Sequence, residues 1–233
     1  MKKIAGVICL LVLLWTYPVF ADSVTAINDG TQIVTEVFRF ATYGDNMVGM
    51  WVTAYSSSFL TGKETAIWGP DGLGAGKAEG TGWSLKESGH TFRSPWTLST
   101  GDLTITQLTI DGFPGSTVFD RTKDKNDDIF GTPDSEEGKD FRRITPNPNL
   151  PGLVVDATYE GHVGVGVIDP YDDLYRSLHL VFNDEDGFKG TMTYLSDTDN
   201  ARVPAGIPEP ATMLLLGTGL LGIWVYGRRR FKK

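Results

Sequence analysis

Metal-type donors cluster in Asp124-Lys125-Asn126-Asp127-Asp128 of the 233-residue chain, which puts oxygens at alternate positions as the start of an EF-hand loop does. Asp124, Asn126 and Asp128 would be its first donors, and a hard cation such as Ca2+ is the cofactor such oxygens serve. The match then stops. Ile129 occupies the position of the sharp-turn glycine, and Ser135 stands where the closing bidentate Glu belongs. A calcium site of another geometry, with Asp120 or Asp134 contributing, stays open beside the simpler reading, a solvated acidic loop. Asn183-Asp184-Glu185-Asp186-Gly187 reads as a hairpin turn, with Gly taking the positive φ. Asp197-Thr198-Asp199-Asn200 ends the last strand, and calcium at either stretch is the less favoured reading.

Catalytic patterns are thin. His90, His162 and His179 are scattered, with no His-Glu-x-x-His spacing, and Gly-x-Ser-x-Gly is absent. His179 is out of phase with Leu178, Leu180 and Phe182, so it points away from their face. Carboxylates are numerous, but spacing in sequence does not give the separation in space that a glycosidase pair needs. A non-enzymatic protein is expected, with a secreted polysaccharide-active hydrolase as the alternative. Aromatic residues make the better case for binding, because Trp and Tyr rings stack on the apolar faces of sugars. Trp68, beside Gly69-Pro70-Asp71-Gly72, and Tyr171, in Asp169-Pro170-Tyr171-Asp172-Asp173, sit in turn sequences and are the candidate glycan-stacking residues.

The elements that must position these groups are strands. Short apolar and β-branched runs alternate with Gly, Pro, Asn and Asp, and no stretch holds a helical period for three turns. Residues 32–43, 47–55, 83–86, 92–98, 103–110, 117–119, 153–159, 163–168, 174–182 and 188–195 read as strands. Residues 69–82, rich in glycine, read as a long loop. In 47–55 both alternating faces look covered, as in a central strand. The expected fold is all-β, an antiparallel, jelly-roll-like β-sandwich over residues 22–202.

The ends of the chain read differently. Residues 1–21 have a basic start (Lys2, Lys3), an apolar run and small residues before Ala21, the pattern of a signal peptide cut between Ala21 and Asp22. The Sec translocon and signal peptidase are the implied partners. Cys9, the single cysteine, lies in that segment, so a disulfide framework or thiol chemistry in the mature protein is excluded. All 29 acidic residues but only 14 of the 21 basic ones lie between Asp22 and Glu209, which gives this part a charge of −15. Such a surface repels nucleic acid and anionic lipid.

Residues 203–233 hold a proline-rich neck, an uncharged run over 211–226 and a basic end. As a helix the run would span roughly 24 Å, slightly short of the ~30 Å hydrocarbon core, and arginines behind it snorkel and stay cytoplasmic. The order Pro208-Glu209-Pro210, one apolar transmembrane helix, then Arg228-Arg229-Arg230 resembles the PEP-CTERM sorting signal. The resemblance implies handling by an exosortase, an integral-membrane, cysteine transpeptidase-like enzyme of Gram-negative bacteria that make extracellular polysaccharide. That enzyme would cut near Pro208-Glu209-Pro210, so the precursor would sit in the inner membrane transiently before reaching the cell surface or biofilm matrix. A permanent membrane anchor is the alternative. Pro95-Trp96-Thr97-Leu98, the strand sequences up to Asp120, and the stretch from Phe188 to Asn200 are also similar to ectodomains of other secreted PEP-CTERM proteins, which supports the sandwich and adds nothing about chemistry.

Overall fold

Short alternating segments, punctuated by turn residues, produce strands and almost no helix in the computed structural model of the protein. The structure describes residues 22–27, 30, 32–39, 41–121, 138–144, 152–166, 173–182 and 187–203. The strands are β1 (Ser23–Ile27), β2 (Gln32–Val34), β3 (Val37–Arg39), β4 (Trp51–Tyr55), β5 (Lys63–Ile67), β6 (Gly69–Pro70), β7 (Ala75–Gly80) and β8 (Trp83–Ser88). They continue as β9 (Trp96–Ser99), β10 (Gln107–Asp111), β11 (Thr117–Asp120), β12 (Arg142–Arg143), β13 (Val155–Val165), β14 (Leu174–Phe182), β15 (Thr191–Leu195) and β16 (Asp197–Ala201). Two three-residue 3-10 turns, Gly44–Asn46 and Phe113–Gly115, are the helical elements among the described residues. No helix among them is long and apolar enough to cross a membrane, and the expected span at 211–226 lies outside them.

Ten strands form one sheet and six the other. The hub of the larger sheet is β14. One of its edges pairs with β10 over residues 177–181 and with β11 over residues 174–175, and its other edge pairs with β13. In turn β13 holds β1 along its first half and β2 along its second. The sheet is therefore two six-strand halves that share β13 and β14: β5-β4-β10-β14-β13-β1 and β3-β16-β11-β14-β13-β2. The pairings of β13 with β1 and β2 are parallel, a departure from the antiparallel sandwich expected from sequence. The smaller sheet, β12-β15-β9-β8-β7-β6, is antiparallel throughout.

The main core lies on the inner face of the first half. Val52, Ala54, Leu108, Ile110, Leu178 and Leu180 point inward from the central strands and are fully buried. Aromatic rings dominate this core: Trp68 lies 5.2 Å from Trp96, Trp96 stacks on Tyr194 at 6.1 Å, and Phe141 is 5.1 Å from Tyr194. A smaller cluster of Val34, Val37, Val118, Val163, Val165, Leu174 and Ala201 packs in the second half. Val118 belongs to this cluster while its neighbour Phe119 belongs to the main core, so β11 is buried on both faces.

Two readings from sequence need correction. The glycine-rich stretch 69–82 is not a long loop but contains β6 and β7. A Cβ on Gly76 would collide with the Trp68 indole nitrogen, and one on Gly80 with that of Trp83. Those glycines clear space for tryptophans rather than loosening the backbone. Strand β4 is not covered on both faces either: Val52 and Ala54 are buried, whereas Trp51, Thr53 and Tyr55 face outward with partial exposure. Glu64 ties the sheets together, accepting hydrogen bonds from the Thr81 amide (2.8 Å), the Thr81 hydroxyl (2.9 Å) and Trp83 Nε1 (2.8 Å). Burial alone would raise its pKa; those three bonds hold it below the ordinary value.

Candidate functional site

Most residues singled out from sequence lie outside the described residues: Ala21, Asp124, Asn126, Asp128, Tyr171, Pro208, Glu209, Pro210, Arg228, Arg229 and Arg230. Asp22, at the expected start of the mature chain, is built into the body. Its Oδ1 accepts from the Val155 amide at 3.1 Å and meets Arg143 Nη2 at 3.0 Å. Trp68 is placed against expectation. It is fully buried in the main core, and its Nε1 donates to the Gly44 carbonyl at 2.7 Å, so it offers no ring to a ligand. Its turn-like neighbours Gly69 and Pro70 are a short strand, which is why the sequence suggested exposure.

Two separately noted acidic stretches converge. Asp120 ends β11 directly opposite Asp197 on β16, and Asp199 lies two residues further along β16. Carboxylate oxygens of these three buried residues all fall within 4.8 Å of one another. The Thr91 hydroxyl donates to Asp197 Oδ1 at 2.7 Å, as does the Thr198 amide at 2.9 Å. The backbone of Lys139 donates to the Asp120 carbonyl and accepts from the Asp197 amide, both at 3.0 Å, and Gly138 leaves the Asp120 carboxylate its room. Each of the three aspartates has further interactions. Oxygens about 2.3–2.6 Å from one Ca2+ ion can be no more than about 5 Å apart, so these are the described residues whose spacing fits a hard cation. Like charges facing each other across strands destabilise a pair, and a shared proton or a cation relieves that. Pairing across β11 and β16 makes this cluster, and no sequence spacing could have shown it.

A second buried carboxylate stands alone. Glu87 shares the inward face of β8 with Trp83 and Leu85, is fully buried, and neither of its oxygens makes a hydrogen bond of normal geometry. Burial pushes its pKa up to about 8; the nearby Gly44 amide opposes the shift and the Asp45 charge adds to it. The acid form therefore predominates at neutral pH, and burial keeps this carboxyl away from solvent.

The outer face of the large sheet's first half has a different character. One residue from each strand aligns into a row: Thr65, Thr53, Thr109, His179, Thr158 and Thr25. Hydroxyl pairs brace it, Thr53 to Thr65 at 2.8 Å and Thr25 to Thr158 at 3.1 Å, while the Thr109 hydroxyl meets His179 Nδ1 at 3.0 Å. His179 thus points away from the core, as its phase predicts, and contacts Glu160 at 3.2 Å. Arg176 clasps Asp111 through Nε at 2.9 Å and Nη2 at 2.5 Å, which neutralises that edge. Trp51 and Tyr55 flank Thr53 on β4, and Ile67 lies directly opposite Trp51. Trp51 is 50% exposed and Ile67 67%. Sequence reading missed Trp51 because it counted both faces of its strand as covered.

Comparison with known families identifies one segment. Residues 206–230 match the PEP-CTERM protein-sorting motif, beginning three residues after Val203, where the described body ends. No curated protein and no solved structure matches the chain.

Proposed function

We propose that this protein is a non-enzymatic surface or matrix component whose β body grips extracellular polysaccharide after its C-terminal segment has been processed. The PEP-CTERM motif marks an exported protein that exosortase sorts, passing by way of the membrane to the cell surface. One observation carries the proposal: the folded body runs to Val203, with Arg202 still bonded to Glu36 and Thr35, and the sorting motif starts at residue 206. A cut near Pro208-Glu209-Pro210 would therefore release the body with all its described strands. A Gram-negative producer, a transient inner-membrane precursor and a biofilm matrix as destination complete the reading.

The non-enzymatic part is supported by how the titratable groups are arranged. Glu87 is sealed in the core; the aspartate cluster is buried beneath the 138–141 segment; His179 is engaged by Thr109, Ser177 and Glu160. None of these presents a converging acid and base to an open groove.

Mass spectrometry of the mature protein tests the processing: the expected C-terminus lies near residues 208–210, and a chain still ending in Lys233 would leave a permanent anchor instead. A glycan array probed with the exported protein, with and without a chelator, tests the binding. Silence in both conditions removes the polysaccharide role.

A further inference from the structure

We infer that the polysaccharide site is the outer face of the large sheet around β4, and that it takes an uncharged glycan chain laid along that strand. The inference rests on the polysaccharide-binding reading above and adds the place and the class of ligand. Trp51 and Tyr55 are four residues apart on one face of β4, about 13 Å at the strand rise, so one extended chain of several sugar rings can reach both. Between them Thr53 is flanked by Thr65 on β5, whose hydroxyl it meets at 2.8 Å, and by Thr109 on β10, so three threonines stand side by side on strands roughly 4.8 Å apart.

The ligand's chemistry follows from what this face offers. Trp and Tyr rings present an apolar face and a polar edge, suited to the C–H faces and hydroxyl rims of sugars. A threonine hydroxyl both donates and accepts, so a row of them matches a polymer whose every ring carries hydroxyls and demands no fixed charge. Of the charged residues beside the row, Asp111 is paired with Arg176 and Glu160 contacts His179, whereas Lys63, opposite Tyr55, is exposed and can donate to sugar hydroxyls. The surrounding body, at −15 over residues 22–209, would repel an anionic chain. A neutral polysaccharide meets every one of these conditions. The opposite half of the sheet does not serve, because the main core on one face and the valine cluster on the other bury β11 and β16.

A row of hydrogen-bonded threonines is also pre-arranged. Thr53 and Thr65 hold each other's rotamers before any ligand arrives, so less side-chain freedom is lost on binding.

The test uses the exported, processed protein in affinity electrophoresis through gels containing dextran, hydroxyethylcellulose or alginate, with Trp fluorescence titration of any polymer that retards it. Retardation is expected in at least one neutral gel and not in alginate. Trp51→Ala and Tyr55→Ala should each weaken that binding at least tenfold, Thr53→Val about threefold, and Phe38→Ala, an exposed aromatic elsewhere, should leave it unchanged. Thermal melts of all four variants show whether lost binding is lost folding, and Trp51→Phe, which keeps a ring, should recover most of the affinity. Binding that survives Trp51→Ala and Tyr55→Ala, or that appears only with alginate, overturns the face and its neutral ligand while leaving a polysaccharide role intact. Binding to no polymer overturns both. A concentration-dependent dimer abolished by Trp51→Ala would also overturn the inference, since the face would then belong to a second copy of the chain.

Discussion

Strands β4 and β16 invert what their compositions suggest. Trp-Val-Thr-Ala-Tyr would be expected to hide its rings, yet Trp51 is half exposed and Tyr55 looks outward. Asp-Thr-Asp-Asn-Ala would be expected at the surface, yet every residue of β16 is buried between β3 and β11. The difference lies in partners. Each polar group of β16 that faces the main core finds a specific acceptor or donor: Asn200 Nδ2 donates to the Asn46 carbonyl at 3.0 Å, its Oδ1 accepts from Thr42 at 3.4 Å, and Thr198 meets the Met47 sulfur at 3.4 Å. Outward residues of β4 have neighbours only to the side on β5 and β10, and of these Thr65 bonds to Thr53. Hydropathy ranks residues by what water would prefer; Thr198 and Asn200 are buried where the fold satisfies their polar groups.

That comparison can be broken most forcefully on β16. Asn200→Ala strips the amide from Asn46, Ser116 and Thr42 and should cost about 3 kcal/mol, read as a lower urea midpoint at unchanged slope. A loss under about 0.5 kcal/mol would mean the strand is held by its backbone ladder alone.

Glu87 sharpens the contrast from the other direction, being buried without such partners. Its native pKa of about 8 exceeds the unfolded value near 4.5, so the native state holds the extra proton between those limits. Its contribution is therefore complete below about pH 4.5 and disappears as pH rises through about 8, when a buried charge must form. Glu87→Gln should match the parent at pH 5 and exceed it by about 2 kcal/mol at pH 9 in paired urea melts. Identical pH profiles would show that Glu87 ionises freely.

On β4 the expected stability effects are small. Trp51→Ala should cost no more than about 1 kcal/mol, because much of the ring is already in water. Replacing Thr53 and Thr65 together with valine exchanges one half-exposed hydroxyl pair for two good strand formers and should shift stability by about 0.5 kcal/mol or less. A large drop in either case would place β4's outer face under a covering element rather than in solvent.

Local signals were legible wherever burial alternates along one strand. The phase of Leu178, Leu180 and Phe182 placed His179 outward, and the runs around β8, β10 and β14 were recognisable as strands. The sorting motif was readable directly because its parts are adjacent in the chain. What failed were inferences about glycine and about single strands taken alone. Gly76 and Gly80 look like loop residues until the tryptophans that occupy their missing side-chain space are known. Trp68 looks exposed for the same reason reversed. The aspartate cluster joins residues that meet only because β11 pairs with β16, and the threonine row needs six strands in register. Alternation along a strand shows where a side chain points; it carries no information about which strand lies beside it.

The place of β16 in the sheet has a consequence for how the molecule is made. Its antiparallel neighbours β3 and β11 lie far ahead of it in the chain, and β3, a three-residue edge strand, has no other partner in the sheet order. Pairings between such distant segments are slow to form and leave unsatisfied edges while they wait. An export-coupled chain must therefore keep its half-finished sheet from sticking to others until the stretch just ahead of the sorting motif emerges. The last strand of the sheet ends at Ala201, five residues ahead of the sorting motif, so any truncation that reaches into β16 removes the strand that closes the sheet together with the motif.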